Sequence, residues 1–496
     1  MKFKKSSFSV IILGLSLLWI VAIRSHTFNE PLERDAATYM VIANEMLHGK
    51  TLYVDLWDHK PPAIHLTFCA AQLIGGYGLF ANYFLNVVGA LIVMLGLFKI
   101  GSSRGSPSAG LWMAALWAVL SGDLNLQGNQ PNAELFMNAS LVWGFYHCLK
   151  GVRLSMAGAF FAGVLFGWGG LYKHVALIPA ALIIAVFACS DKSNRKSRAG
   201  LLLLGAITPW FVTFLVYAAG GQFDLLWQAL VKSNLSYMGV HQRTPFLDDL
   251  PLLFNSLRSH FDIQLLLVAT VGVIVVSFLM SWRRRQIDFE FLLGAYGFGS
   301  LVAVILPGYF FLHYYQLLLP VLIIGLVWFL REKSLVVVLM ALAVYEISFL
   351  RLPPEEWSRR KYGDVFVVTK RLAGEVEAML APGETIYNWG DDPELYVYLK
   401  QRPPTGILIG QRFLRRMVAD FSERILTDLE KSPPDLIVIT KWDTPDKIFG
   451  NPVGVWIREN YAIRAEVPLS VGFYLAARRE SALDHRLQNL SGHPMP

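Results

Sequence analysis

Long apolar runs separated by short basic loops fill the first 350 residues of this 496-residue chain. In hydrocarbon every backbone amide and carbonyl must find its partner within the protein, so runs of this kind are satisfied as helices. Eleven spans are expected, at 8–23, 79–100, 107–122, 132–149, 155–171, 175–189, 199–219, 261–281, 288–306, 313–330 and 334–350. Charged residues make up only 16% of the chain, where a soluble protein carries about a quarter. The formal charge of +7 does not point to nucleic acid, because Lys and Arg collect in the loops between apolar runs. Cys69, Cys148 and Cys189 lie in or beside hydrophobic segments without metal-ligand spacing, and read as packing residues.

Loop charge sets the orientation. Lys2, Lys4 and Lys5 precede the first run, which no small-residue cleavage site follows, so it reads as a span and not a signal peptide. Arg104, Lys150 and Arg153, the 192–198 cluster, Arg283 to Arg285, and Arg331 with Lys333 all fall on the N-terminal side of an eleven-span count. The opposite loops 123–131 and 307–312 contain no Lys or Arg. Positive-inside bias then places the N-terminus in the cytoplasm and 24–62, 123–131, 172–174, 220–260 and 307–312 outside. Residues 61–75 open on Pro61-Pro62, carry His65 and are short, which suits a helix lying at or re-entering the outer interface.

After Pro353-Pro354 the character changes: charge becomes frequent and long apolar runs stop. Strand-like runs at 385–389, 407–409, 436–440 and 462–467 alternate with amphipathic stretches at 365–380 and 412–430. The expectation is a polytopic α-helical membrane module over 1–350, followed by a soluble extracytoplasmic α/β domain with a mixed sheet over 351–496.

The first outer loop concentrates what the rest of the chain lacks. Within ERDAATYMVIANEMLHGKTLYVDLWDHKPP, residues 33–62, stand Glu33, Asp35, Asp55, Asp58, His59 and Lys60. Ionisable groups held at a bilayer surface are costly to desolvate, and so raise a functional hypothesis. Tyr39, Ile42, Ala43, Met46 and Leu47 recur at helical spacing until Gly49, giving an interfacial helix with Asp35 at its N-terminus. Asp35 could serve there simply as a cap. Lys60, tied down by two prolines, supplies a fixed cation nearby, and the two charges together suit a lipid phosphate and an incoming nucleophile.

This stretch resembles the first outer loop of the GT-C glycosyltransferases, in the protein O-mannosyltransferase and ArnT-like group. QPNAELFMNAS around Glu134, LHYYQLLLP at 312–320 and TIYNWGDDPELYVYLKQRPP at 385–404 extend the likeness in order along the chain. The resemblance implies an inverting transfer, on the extracytoplasmic face, from a polyprenyl-phosphate-linked sugar to an acceptor hydroxyl on a lipid, glycan or protein. Asp35 matches the catalytic acidic position and Lys60 the lysine that contacts the donor phosphate. His59 stands where some relatives place a Glu that binds a divalent metal, making it the candidate ligand for the one cofactor the likeness suggests. Two positions depart from the pattern: Ala36 replaces the second acid of an acidic pair, and Thr38 replaces an arginine.

The chemistry agrees with these residue types. A phosphate monoester leaves as a stable anion, so the reaction needs a base for the acceptor hydroxyl and positive charge for the leaving group. Asp35 would be the base. Lys60, with His59 and Lys173, would hold the phosphate. One carboxylate acting directly implies inversion. Glu33, Tyr39, Glu134, His313 and Tyr315 complete a candidate substrate-binding set. Each has a plainer alternative: Glu134 as a helix-start carboxylate, His313 and Tyr315 as part of an interfacial aromatic belt, Lys173 as a snorkelling cation. His241 and His260 enter only if loop 220–260 folds over the site, and Asp391 and Asp392 read as a turn before a helix at 394–400. A transporter of a lipid-linked sugar is the rival function, but it calls for ionisable residues in mid-span, which are few here. A non-catalytic receptor leaves the charge cluster at 33–60 unexplained.

Overall fold

The structure, a computed structural model, describes residues 2–150, 154–189, 195–239, 260–284, 287–408, 421–440, 452–466 and 473–490. Every expected span coincides with a helix: α1 (Lys2–His26), α4 (Leu79–Arg104), α5 (Pro107–Leu120), α6 (Ala133–Leu149), α7 (Met156–Tyr172), α8 (Leu177–Cys189), α9 (Arg195–Ala219), and then Phe261–Arg284, Phe289–Ile305, Leu319–Phe329 and Glu332–Phe349. Among the described residues, five helices are long and apolar enough to cross a membrane by themselves, or six if the bent pair Glu332–Phe349 and Pro354–Tyr362 counts as one span. Others are shorter and apolar. Without a hydrophobic force between helices in lipid, small residues bring them together. A Cβ on Gly163 of α7 would lie 2.1 Å from the Leu202 carbonyl of α9, so this crossing is closed to any larger residue.

Between α1 and α4 lie two helices of the first outer loop, α2 (Arg34–Leu47) and α3 (Ala63–Gly75). Thirteen residues at 1.5 Å rise leave α3 well short of a bilayer. Its Leu73 and Ile74 are exposed, while His65 and Phe68 are buried against the bundle. One face is buried in protein and the other is apolar and exposed, a pattern that suits an interfacial helix.

The C-terminal region carries a four-stranded sheet of order β1-β2-β4-β3, with β1 (Ile386–Trp389), β2 (Leu436–Thr440), β3 (Tyr461–Glu466) and β4 (Phe473–Arg478). β1 and β2 run parallel and the other pairings are antiparallel. The mixed sheet matches expectation, but two details differ. β4 escaped the sequence reading, and the described part of 407–409 is not a strand. Ile407 instead enters the domain core, where it packs with Trp57 from the first outer loop. The Trp57 amide donates to the Gly406 carbonyl at 3.0 Å, and a Cβ on Gly406 would come within 1.7 Å of the Asp55 carbonyl. The loop and the domain share one core.

Further clamps hold the same loop. Arg402 grips Glu45 of α2 in a bidentate pair at 2.7 and 2.9 Å, and Arg34 donates to the Asp391 carbonyl at 2.7 Å. Lys361 pairs with Glu30, and both side chains are fully buried. Asn129 donates to Glu30 and accepts from Lys361 at 2.8 Å. That triad ties the C-terminal domain, the first outer loop and loop 123–131 together. Buried Arg24 of α1 adds the bundle, reaching Asn86 and the Ser121 and Gly128 carbonyls.

Candidate active site

Glu33 begins the site. Its extended backbone (φ −84°, ψ 149°) turns its carboxylate over the first turn of α2, where it accepts the amides of Asp35 at 3.0 Å and Ala36 at 3.1 Å. Helix starts leave such donors unsatisfied, and a carboxylate meets both the donors and the dipole. Glu33, expected to touch substrate, therefore has a capping role, and it frees Asp35 from one. Asp35 projects from the first turn with 29% of its side chain exposed.

The chain brings Lys60 back beneath it. Residues 51–56 close on themselves around Tyr53, which adopts φ 67°, and Asp55 accepts the Thr51 amide at 2.7 Å. The Tyr53 hydroxyl then donates to the Lys60 carbonyl at 2.7 Å. Lys60 Nζ stands 3.1 Å from Asp35 Oδ2 and 4.8 Å from the centre of the Tyr39 ring, and the Tyr39 hydroxyl reaches the same Asp35 oxygen at 3.4 Å. Burial works to raise the Asp35 pKa, but the Lys60 ammonium outweighs it and holds the carboxyl down to about 2. Burial likewise opposes the charge on Lys60, and Asp35 more than restores it, well above the usual ammonium range.

A second cation–carboxylate pair lies alongside. Lys173, just past α7, meets Glu134 in the first turn of α6 at 2.8 Å and sits 3.6 Å over the Tyr314 ring. Lys60 is within electrostatic reach of Lys173, and His313 within reach of Asp35, so the two pairs are close neighbours. His313 Nδ1 lies 3.0 Å from Gln127 Oε1, anchoring the 3₁₀ segment Leu312–Leu318 to loop 123–131. Of the two expected substrate contacts here, His313 lies within electrostatic reach of Asp35 and Glu134, whereas Tyr315 is buried in the bundle core and Tyr314 faces Lys173.

His59 turns inward. Its Nδ1 is 3.3 Å from Asp58 Oδ1, and its carbonyl accepts from Asn234 at 2.8 Å. Burial, only partly offset by Asp58, pushes its pKa down to about 4 and keeps the ring neutral near pH 7. Among the described residues no group of three or more His, Cys, Asp or Glu side chains converges to hold a metal ion. No step below passes through a metal ion. His260 sits at the foot of the Phe261–Arg284 helix, where its carbonyl accepts the Gln264 amide, while His241 lies outside the described residues.

Sequence reasoning gave no site role to Asp58 or His65, though it noted both, nor to Asn234, Tyr314, Glu30 or Lys361. The first two lay in view inside WDHKPPAIH, but nothing in their spacing shows that they meet. Lys361 sits in a charged helical run indistinguishable from a solvated face.

No protein-family model matches the chain, and no curated protein matches it by sequence. Solved structures do. ArnT from Cupriavidus metallidurans in the apo state superposes with a TM-score of 0.60 at 14% identity, over 99% of this chain and 100% of that one. The same protein bound to undecaprenyl phosphate gives 0.58 at 14%, over 96% and 99%. The archaeal oligosaccharyltransferase AglB from Archaeoglobus fulgidus, in complex with an inhibitory peptide and a dolichol-phosphate, gives 0.50 at 13%, over 99% and 78%. The chain is an integral membrane protein with the fold of the GT-C glycosyltransferases. Within that class its fold is similar to ArnT from end to end.

Proposed function

We propose that this protein is an inverting glycosyltransferase that moves a sugar from a polyprenyl-phosphate donor to an acceptor hydroxyl on the extracytoplasmic face of the membrane. The observation that carries this reading is the Asp35–Lys60 pair at 3.1 Å, with the Lys173–Glu134 pair within electrostatic reach of it. Two cations suit a lipid phosphate, and a part-exposed carboxylate suits an acceptor hydroxyl. Both pairs sit where helices begin or end, at one end of the bundle, which favours interfacial chemistry over the passage of a substrate through it. The orientation follows from the basic loops at the opposite end.

Before the donor binds, Lys60 neutralises Asp35 and makes it a poor base. A donor phosphate competes for that ammonium, and as Lys60 turns to it Asp35 regains basicity. The acceptor oxygen then attacks the anomeric carbon from the face opposite the phosphate. Its proton passes to Asp35, the new C–O bond forms, and the bond to the phosphate oxygen breaks. Polyprenyl phosphate departs as an anion held by Lys60 and Lys173, so no general acid is required. Once Lys173 moves to phosphate, Glu134 takes sugar or acceptor hydroxyls in its place.

Mass spectrometry of envelope glycolipids and glycoproteins, with and without the gene, tests the proposal. One glycosylated species should vanish on deletion and return with the wild-type chain but not with Asp35→Asn. Its return with Asp35→Asn would remove Asp35 from the chemistry.

A further inference from the structure

Asp58 is almost fully buried, and three groups converge on its carboxylate. The Lys60 amide donates to Oδ1 at 3.2 Å, His59 Nδ1 lies 3.3 Å from the same oxygen, and His65 Nε2 stands 3.1 Å from Oδ2. A buried carboxylate needs such company: the Lys60 amide hydrogen-bonds Oδ1, while His65 stands within ion-pair range of Oδ2. What it does here follows from Lys60. Pro61 and Pro62 carry no N–H, so the Lys60 amide is the last backbone donor before α3, and Asp58 takes it. The Lys60 carbonyl is taken as well, by the Tyr53 hydroxyl at 2.7 Å. Side chains therefore occupy both backbone groups of the phosphate-binding lysine.

His65 supports the same lysine by a second route. It lies in the first turn of α3 with no exposed surface, and its ring meets Tyr39 edge to face at 5.6 Å. Tyr39 is the ring over which the Lys60 ammonium rests. One imidazole thus touches the carboxylate that holds the Lys60 backbone and the aromatic face that cradles its side-chain nitrogen. A lysine side chain loses rotamer entropy when it is fixed on a ligand, and a cradle that already restricts it lowers that cost.

We infer that Asp58 and His65 are a positioning pair that aims the Lys60 ammonium at the donor phosphate, with His65 the keystone. The inference rests on the proposed donor site, and the experiment separates the two. Binding of undecaprenyl phosphate to the full chain in nanodiscs is measured beside undecaprenol, which lacks the phosphate. The variants are His65→Gln, His65→Leu, Lys60→Ala and the double His65→Leu/Lys60→Ala. Gln places an N–H donor where Nε2 stands; Leu removes it. His65→Leu should weaken undecaprenyl phosphate about tenfold, as loss of a supporting residue does at other preorganised sites, and leave undecaprenol unchanged. His65→Gln should bind as wild type. The double variant should bind no more weakly than Lys60→Ala, since both changes act through one ammonium. If His65→Leu fails to fold, His65→Asn, whose shorter amide cannot reach Asp58, replaces it. Wild-type phosphate affinity in the folded His65 variant, equal weakening toward undecaprenol, or additivity with Lys60→Ala overturns the positioning role. Failure of the wild-type chain to bind undecaprenyl phosphate overturns the donor site and this inference with it.

Discussion

Lys361→Met should be among the most damaging conservative changes in the chain, and its cost should be largely reversed by a second change at Glu30. Both side chains of this pair are fully buried, and Asn129 bonds to each. Replacing Lys361 alone leaves the Glu30 carboxylate buried with a single amide donor. Breaking a buried ion pair from one side costs about 3–5 kcal/mol, because the remaining charge keeps its desolvation penalty without its partner. Changing both partners removes that penalty, and neutral replacements of buried pairs are often close to isoenergetic. Glu30→Gln/Lys361→Met should therefore recover most of the loss, leaving about 1 kcal/mol for imperfect packing. The assay is thermal unfolding of detergent-solubilised protein followed by tryptophan fluorescence, with transition temperatures used to rank the variants. The expected order is wild type, then the double variant, then Lys361→Met well below. Transfer activity should follow the same order, because the triad holds the residues that lead into Asp35. A Lys361→Met protein as stable as wild type, or a double variant as unstable as the two single losses summed, refutes the reasoning.

Other expectations follow from single features. His59 has its pKa lowered to about 4, so below about pH 6.5 the unfolded chain binds a proton that the folded chain refuses. Stability should fall as pH drops from about 6.5 to 4, and a pH series of melting curves should show a shallower fall in His59→Gln. Gly406→Ala would drive a methyl into the Asp55 carbonyl, so limited proteolysis should find the Trp57 loop and the C-terminal domain separated. Lys173→Met removes the partner of buried Glu134 and one of two phosphate cations. Initial rates should show donor KM raised roughly 10- to 100-fold, the worth of one charge-assisted bond, with acceptor KM changed less.

Much of this architecture was legible because the bilayer leaves few choices. Apolar length marks helices, loop charge marks sides, and a cluster such as Asp35 with His59-Lys60-Pro61-Pro62 stands out against oil. The short apolar stretch before Gly75 could be read as non-spanning because thirteen helical residues are too few. What stayed hidden was partnership over long sequence distance. Nothing local distinguishes Lys361 from the exposed arginines around it, or indicates that Glu30 will lie against it. Trp57 drew no reading of its own from the sequence, yet it completes the core of a domain that begins some 300 residues later. Ile407 lies in a strand-like run but is drawn beside Trp57, and β4, a short apolar run directly after Gly472, carries a strand signal that the sequence reading left unused. Glu33 takes the capping place that Asp35 could have filled for a local reason: the residue with extended backbone reaches the free amides, and the one inside the first turn does not cap.

The most direct measurement is single-turnover transfer by the purified chain from a radiolabelled polyprenyl-phosphate sugar to an envelope extract, comparing wild type with Asp35→Asn. The asparagine keeps the size of the side chain and an acceptor for Lys60 while removing the base. The account predicts undiminished binding of the lipid phosphate with transfer reduced by about 10² to 10⁴. Transfer at the wild-type rate by Asp35→Asn, with the donor bound, would contradict it.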